Sequence, residues 1–200
     1  MTRRDPAARP LGRDFYARGA LDVAPELLNK VLVAPDGRAG RIVEVEAYRG
    51  ADDPGSHGFR GRTRRNATMY GPPGHLYVYF TYGMHWCANV VAETDGAAAA
   101  VLLRALTPLE GVGAMYAARS PAARRDRDLC SGPAKLTQAL GIDGAFDGAD
   151  LVTKDRGVTI VDDGRPPPPD PAVTTRIGLT NGADLPWRFH VEGTPDISRR

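Results

Sequence analysis

From Gly40 to Tyr48 the chain reads Gly-Arg-Ile-Val-Glu-Val-Glu-Ala-Tyr, an alternation that restricts the segment to an extended strand. Side chains on a strand point to opposite faces in turn. Val43, Val45 and Ala47 therefore share one side, and Glu44, Glu46 and Tyr48 share the other. Glutamates are mostly exposed, so a solvated sheet face is the ordinary outcome of such a pattern. The residues beyond it admit a second outcome. His57 follows, and then the aromatic run Leu76-Tyr-Val-Tyr-Phe-Thr-Tyr-Gly-Met-His-Trp-Cys-Ala-Asn89. A carboxylate opposite a wall of Tyr, His and Asn side chains is suited to holding a flat ring and activating a water beside it.

Val31–Ala34, Leu76–Thr81, Met84–Val91, Ala98–Leu106, Val158–Val161, Thr174–Leu179 and Trp187–Val191 also read as strands. Pro35-Asp-Gly37 and Asp95-Gly96 are turns, and Tyr82-Gly83 is a hairpin connection in which tyrosine is a poor turn former. Residues 49 to 75 form one long loop, of the kind that usually carries function or is disordered. Short helices are expected ending near Pro25–Asn29, over Glu110–Arg119, and over Ser131–Gly141, where Ser and Pro open and Gly closes. Pro166–Pro171 reads as a stiff surface connector. The expected fold is α+β, a single domain with a mainly antiparallel curved sheet, surrounding short helices and a protruding β-hairpin. Residues 1–20, polar and rich in Pro and Arg, are expected as a flexible arm, and 21–200 as one domain around one core.

A net charge of +2 sets up no global field for nucleic acid. The positive charge is nonetheless uneven. Lys30, Lys135 and Lys154 are the only lysines, while Arg60, Arg62, Arg64 and Arg65 cluster in the long loop and Arg124, Arg125 and Arg127 in a second. Arginine suits bidentate phosphate contacts, although a general preference for arginine explains its abundance equally well. Cys87 and Cys130 form no CxxC, and no His pair stands at zinc spacing, so no metal site is expected. The N-terminus lacks the apolar run of a signal peptide, and no stretch approaches the length of a membrane span. An intracellular, cytoplasmic protein away from membranes is expected.

Tyr82 is the residue that propensity leaves unexplained. A large aromatic at a hairpin tip cannot be buried under its own sheet. It either caps a neighbouring loop or acts as a wedge entering a DNA stack through the minor groove, with the loop arginines on phosphates.

Arg41–Tyr48, Ser56-His57, Leu76–Tyr79 with Tyr82-Gly-Met84, Leu102–Leu106 with Pro108–Gly111, and Leu129–Pro133 with Lys135-Leu136 occur in that order. Together they resemble the alkyladenine DNA glycosylase family, also called 3-methyladenine or methylpurine DNA glycosylases, over roughly residues 12 to 195. The resemblance implies a monofunctional base-excision repair enzyme, working as a monomer on double-stranded DNA that contains damaged purines. A flipped-out alkylated or deaminated purine would be cut from its sugar by water, without metal or cofactor. Glu46 would be the general base, and the resemblance alone selects it over Glu44. Arg104 and the main-chain carbonyl of Ile177 would help hold the water. Tyr48, His57 and Tyr79 would sandwich the base, and Asn89 would abut its minor-groove edge, where a guanine amino group would clash. Tyr82, Gly83 and Met84 at the hairpin tip would meet DNA, with Tyr82 filling the gap in the duplex. The Ser131-Gly132 helix start and Lys135 would hold backbone phosphate. The chain departs from the family pattern at Gly58, at His85-Trp86 and in the proline-rich stretch 162–171, which bears on substrate range. Three other readings stand beside this one: a non-catalytic binder of damaged or distorted DNA, a bifunctional glycosylase/lyase using Lys135, and a small-molecule nucleosidase.

Overall fold

The computed structural model describes residues 8–198. In chain order its elements are β1 (Arg9–Pro10), α1 (Arg13–Tyr16), α2 (Ala20–Leu27), β2 (Val31–Val33), β3 (Ala39–Tyr48), β4 (His75–Thr81), β5 (His85–Ala92) and β6 (Ala99–Glu110). There follow α3 (Val112–Arg119), α4 (Asp126–Cys130), α5 (Pro133–Leu140), β7 (Ala149–Asp150), β8 (Thr159–Asp162), β9 (Ala172–Thr174) and β10 (Arg188–His190). The strands form one curled antiparallel sheet in the order β1-β8-β2-β3-β6-β5-β4-β7, and β10 joins β3 while carrying β9 on its outer edge. The expected α+β class is the observed one.

The two faces of the sheet have different chemistry. Val45 and Ala47 on β3, Val90 on β5 and Leu103 on β6 pack with Leu27, Met115 and Leu136 of the helices into the main core. Full burial of each large aliphatic side chain stabilises the fold by about 1.5–3 kcal/mol. The alternate residues point the other way. There Tyr77, Met69 and Ala100 form a second cluster, with Tyr48 and Tyr79 packed against it.

Several expectations shift in register. Residues 1–7 of the expected arm lie outside the described residues, but from Arg9 the chain is docked: β1 pairs with β8, and Tyr16 is wholly buried. β6 runs on to Glu110, so α3 starts later than expected, after Gly111 in a left-handed conformation. The strand expected over Thr174–Leu179 does not form beyond Thr174. Arg176 turns inward to pair with Asp53, and Gly178 adopts φ +80, which takes the chain out of the sheet.

Candidate active site

Glu44 and Glu46 lie mid-sheet, with β6 on one side of β3 and β10 on the other. Neither exposes any surface, so the solvated sheet face that the sequence allowed is excluded. The pairing of β3 with β6 slips between Ile42 and Glu44 and again between Glu44 and Val45. Such irregularities re-aim side chains and are common beside active sites. Arg104 on β6 bridges the two carboxylates, Nε 3.1 Å from Glu44 Oε1 and Nη1 3.2 Å from Glu46 Oε1. Two buried carboxylates need such a partner, because an uncompensated buried charge is costly.

Their remaining contacts separate them. Glu44 also accepts from Arg188 Nε at 2.6 Å, from Ser198 Oγ at 2.8 Å and from the Ser198 N–H at 2.5 Å. Burial would raise its carboxyl, but the Ser198 N–H and the two arginines outweigh that and hold it below the usual glutamate range. Glu46 accepts from the Ile177 N–H on Oε1 at 2.8 Å and from the Tyr48 hydroxyl on Oε2 at 2.8 Å. The Ile177 amide thus holds Glu46 directly, a contact the sequence did not suggest. Burial, followed by the Glu46 charge, raises the Tyr48 phenol well above its usual range, so it stays protonated and donates.

Tyr48, Arg104 and Ile177, the three groups that hold Glu46, all line one open cleft of about 620 Å³. His57, Tyr79, Tyr82, Ser131, Gly132 and Lys135 line the same cleft. A smaller recess of about 60 Å³ joins Asn89 to Tyr48, His57, Tyr77 and Tyr79. Asn89 sits opposite Tyr77 across β4 and β5 and donates from Nδ2 to its carbonyl at 3.2 Å. His57 meets Tyr79 edge to face at 4.5 Å between ring centroids, too close for a ring between them. The pair thus presents one packed aromatic surface to the recess that Tyr48 also lines. His57 Nδ1 lies 2.9 Å from the Tyr77 hydroxyl. Burial, with a smaller contribution from the Arg65 charge, pulls the imidazole below the usual histidine range, so it is neutral at pH 7.

The hairpin tip stands at the cleft mouth. Tyr82 is 82% exposed at φ +50, followed by Gly83 at φ +67, and Met84 is 69% exposed. Arg65, from the long loop, donates to the Phe80 carbonyl at 2.8 Å and so ties that loop to the hairpin. Across the cleft, Ser131 and Gly132 lead into α5, whose first-turn N–H groups have no intrahelical acceptors. Lys135 Nζ donates to Ser131 Oγ at 3.2 Å. Cys87 and Cys130 are buried and unpaired, and burial raises both thiols, Cys130 up to about 12. Among the described residues no three His, Cys, Asp or Glu side chains converge as metal ligands would, and no helix is long and apolar enough to cross a membrane.

Most residues singled out from sequence therefore line one cleft; Glu46 is buried behind three of them, Asn89 lines the smaller recess, and Gly83 and Met84 follow Tyr82 at the hairpin tip. Tyr77, Arg188, Ser198 and the Asp53–Arg176 pair had not been singled out. Tyr77 carried a signal, since it shares a strand face with Tyr79. Ser198 carried none, standing 154 residues from the glutamate it holds.

A model of the family described as methylpurine-DNA glycosylase matches residues 14–195. A protein of Burkholderia lata is 61% identical over 99% of this chain and 97% of its own length. Relatives from Burkholderia cenocepacia (63% identity, 93% of this chain, 89% of theirs) and Streptomyces avermitilis (48%, 96% and 92%) match similarly. All three are provisionally named 3-methyladenine DNA glycosylases. The chain belongs to the methylpurine-DNA glycosylase family and is a DNA glycosylase, a hydrolase of DNA repair.

Proposed function

We propose that this enzyme works inside the cell as a monomer, extruding alkylated and deaminated purines from double-stranded DNA and hydrolysing their glycosidic bond with a water activated by Glu46. The observation that carries this reading is that the three residues fixing the buried Glu46 carboxylate, Tyr48 through its hydroxyl, Arg104 through its guanidinium and Ile177 through its amide, all line the cleft. Water reaching Glu46 Oε2 enters beside the Tyr48 hydroxyl. Its oxygen attacks the anomeric carbon, its proton passes to Oε2, and the electrons of the breaking C–N bond leave with the purine. The sugar becomes oxocarbenium-like on the way, and a nearby carboxylate stabilises that charge as it does in glycoside hydrolysis.

Substrate selection follows from the walls. Electron-rich faces of Tyr48 and Tyr79 attract a cationic alkylpurine by about 0.5–2 kcal/mol. A neutral His57 adds no repulsion, and in the tautomer that accepts from the Tyr77 hydroxyl at Nδ1 its Nε2–H is available to the base. Extrusion costs a few kcal/mol, less at a damaged site, so unstacking itself contributes to selection. Tyr82 occupies the vacated stack, and the α5 start with Ser131 and Lys135 takes phosphate. The reaction so drawn uses no metal and no covalent enzyme–DNA intermediate.

A base-release assay on duplexes each carrying one defined lesion, with EDTA throughout and a parallel borohydride trap, tests this directly. Release of alkylated and deaminated purines, with no trapped adduct, is expected. A borohydride-trapped adduct, or release that EDTA abolishes, contradicts the proposed chemistry.

A further inference from the structure

Resting on the reading of Glu46 above, we infer that Arg176, locked by Asp53, is a positioning residue that sets both hydrogen bonds aiming the Glu46 carboxylate. Arg176 and Asp53 have fully buried side chains and pair bidentately, Nη1 to Oδ2 at 2.5 Å and Nη2 to Oδ1 at 2.7 Å. Arg176 also donates to the Ala47 carbonyl at 3.0 Å and to the Gly182 carbonyl at 3.0 Å. Its guanidinium lies 4.7 Å from the centroid of the Tyr48 ring and 5.0 Å from that of Trp187.

These contacts converge on one carboxylate. Ile177, next in the chain, gives its N–H to Glu46 Oε1, so a fixed Arg176 fixes that amide. Tyr48, which gives its hydroxyl to Glu46 Oε2, rests its ring against the same guanidinium. The bond to the Ala47 carbonyl ties the loop after β9 to β3 between Glu46 and Tyr48. One rigid planar fork thus references both donors to the strand that carries the acceptor. Lysine cannot reproduce this, because an ammonium lacks the planar bidentate geometry.

A purely stabilising role is the weaker explanation. A buried ion pair is often no better for stability than apolar side chains of the same volume. Here the pair also leaves Arg176 Nε buried without a partner, a further cost. Asp53 additionally accepts from the Gly55 N–H at 2.9 Å and the Arg49 N–H at 3.3 Å, which holds the loop leading to His57 in the same frame. The Arg176–Asp53 pair is neutral overall, so no net charge stands behind the face of Tyr48 that meets a cationic base.

The test compares wild type, Arg176→Lys and Asp53→Asn in single-turnover base release at saturating enzyme, alongside affinity for a duplex carrying an abasic-site analogue. Asp53→Asn is nearly isosteric and keeps an acceptor for the loop amides, so it decides the matter if Arg176→Lys folds poorly. The expected result is a loss of about 10²-fold in the single-turnover rate, the scale for a misplaced catalytic group, with abasic-duplex affinity changed by less than about threefold. Wild-type rates in both variants, or parallel losses of rate and affinity, would overturn the inference. The parent reading fails separately, if wild type itself releases no base.

Discussion

Glu44 and Glu46 have the same burial and share Arg104, and what distinguishes them is how fully their other donors occupy them. Glu44 takes Arg188 and both the N–H and the hydroxyl of Ser198, a residue that itself lines the cleft. Beyond Arg104, Glu46 takes one bond on each oxygen, from the Ile177 N–H and from the Tyr48 hydroxyl. The same logic gives Asn89 a role. It is buried, fixed to the Tyr77 carbonyl, and lines the inner recess. Asn89→Ser should raise release of guanine-type relative to adenine-type bases by about tenfold, the scale for one small steric group in a pocket. Single-turnover release from matched duplexes measures the ratio, and an unchanged ratio would remove Asn89 from base selection. At this scale strand alternation put Glu44, Glu46 and Tyr48 on one face, while the choice of Glu46 and the roles expected of Tyr48, Tyr79 and Asn89 came from the family resemblance. Arg176 with Asp53 was not legible, since a pair 123 residues apart leaves no local pattern.

Among the elements, the β4–β5 hairpin is the one whose local chemistry opposes its shape. A tyrosine at φ +50 occupies a region that costs a non-glycine residue about 1–2 kcal/mol, and its ring gains no burial in return. Tyr82→Gly relieves that strain, so thermal stability should hold or rise. Base release from a fully paired lesion duplex should nonetheless fall by about tenfold or more, the scale set by the cost of flipping. On a lesion opposite a gap, already unpaired, the loss should be under about threefold, because no stack needs filling. Equal losses on both substrates would argue against a wedge. The hairpin was readable from Tyr82-Gly83 between two apolar runs. The segment after Thr174 was misread as a strand because its apolar residues suit one, while the Arg176–Asp53 pair and Gly178 decide otherwise.

For the whole molecule, one sheet separates an apolar core from a polar, aromatic cleft, and the N-terminal segment helps to close the edge. Arg13 pairs with Asp150 of β7 at 2.6 Å and reaches the Pro73 carbonyl. Burial would raise the Asp150 carboxyl, but the Arg13 hydrogen bond and charge, with the Val152 N–H and Thr153, outweigh it and take it down to about 2. A carboxylate depressed on folding contributes stability above its unfolded pKa, and that contribution is lost as pH falls from there to the folded value. The window here runs from 3.8 down to about 2. Since Arg13 is 35% exposed, solvent screening limits the contribution to about 1–2 kcal/mol. Urea unfolding of Arg13→Ala and wild type should therefore differ at pH 6 and converge near pH 2. A constant difference would place the effect in packing.

The most direct measurement is single-turnover base release by Glu46→Gln on a lesion duplex, paired with its affinity for an abasic duplex. Glutamine keeps the shape of the side chain but cannot take a proton from water. The expected result is a fall of about 10²–10⁴-fold in rate, the range for a lost general base, with affinity held within about threefold. A Glu46→Gln enzyme that releases base at the wild-type rate would contradict the mechanism outright.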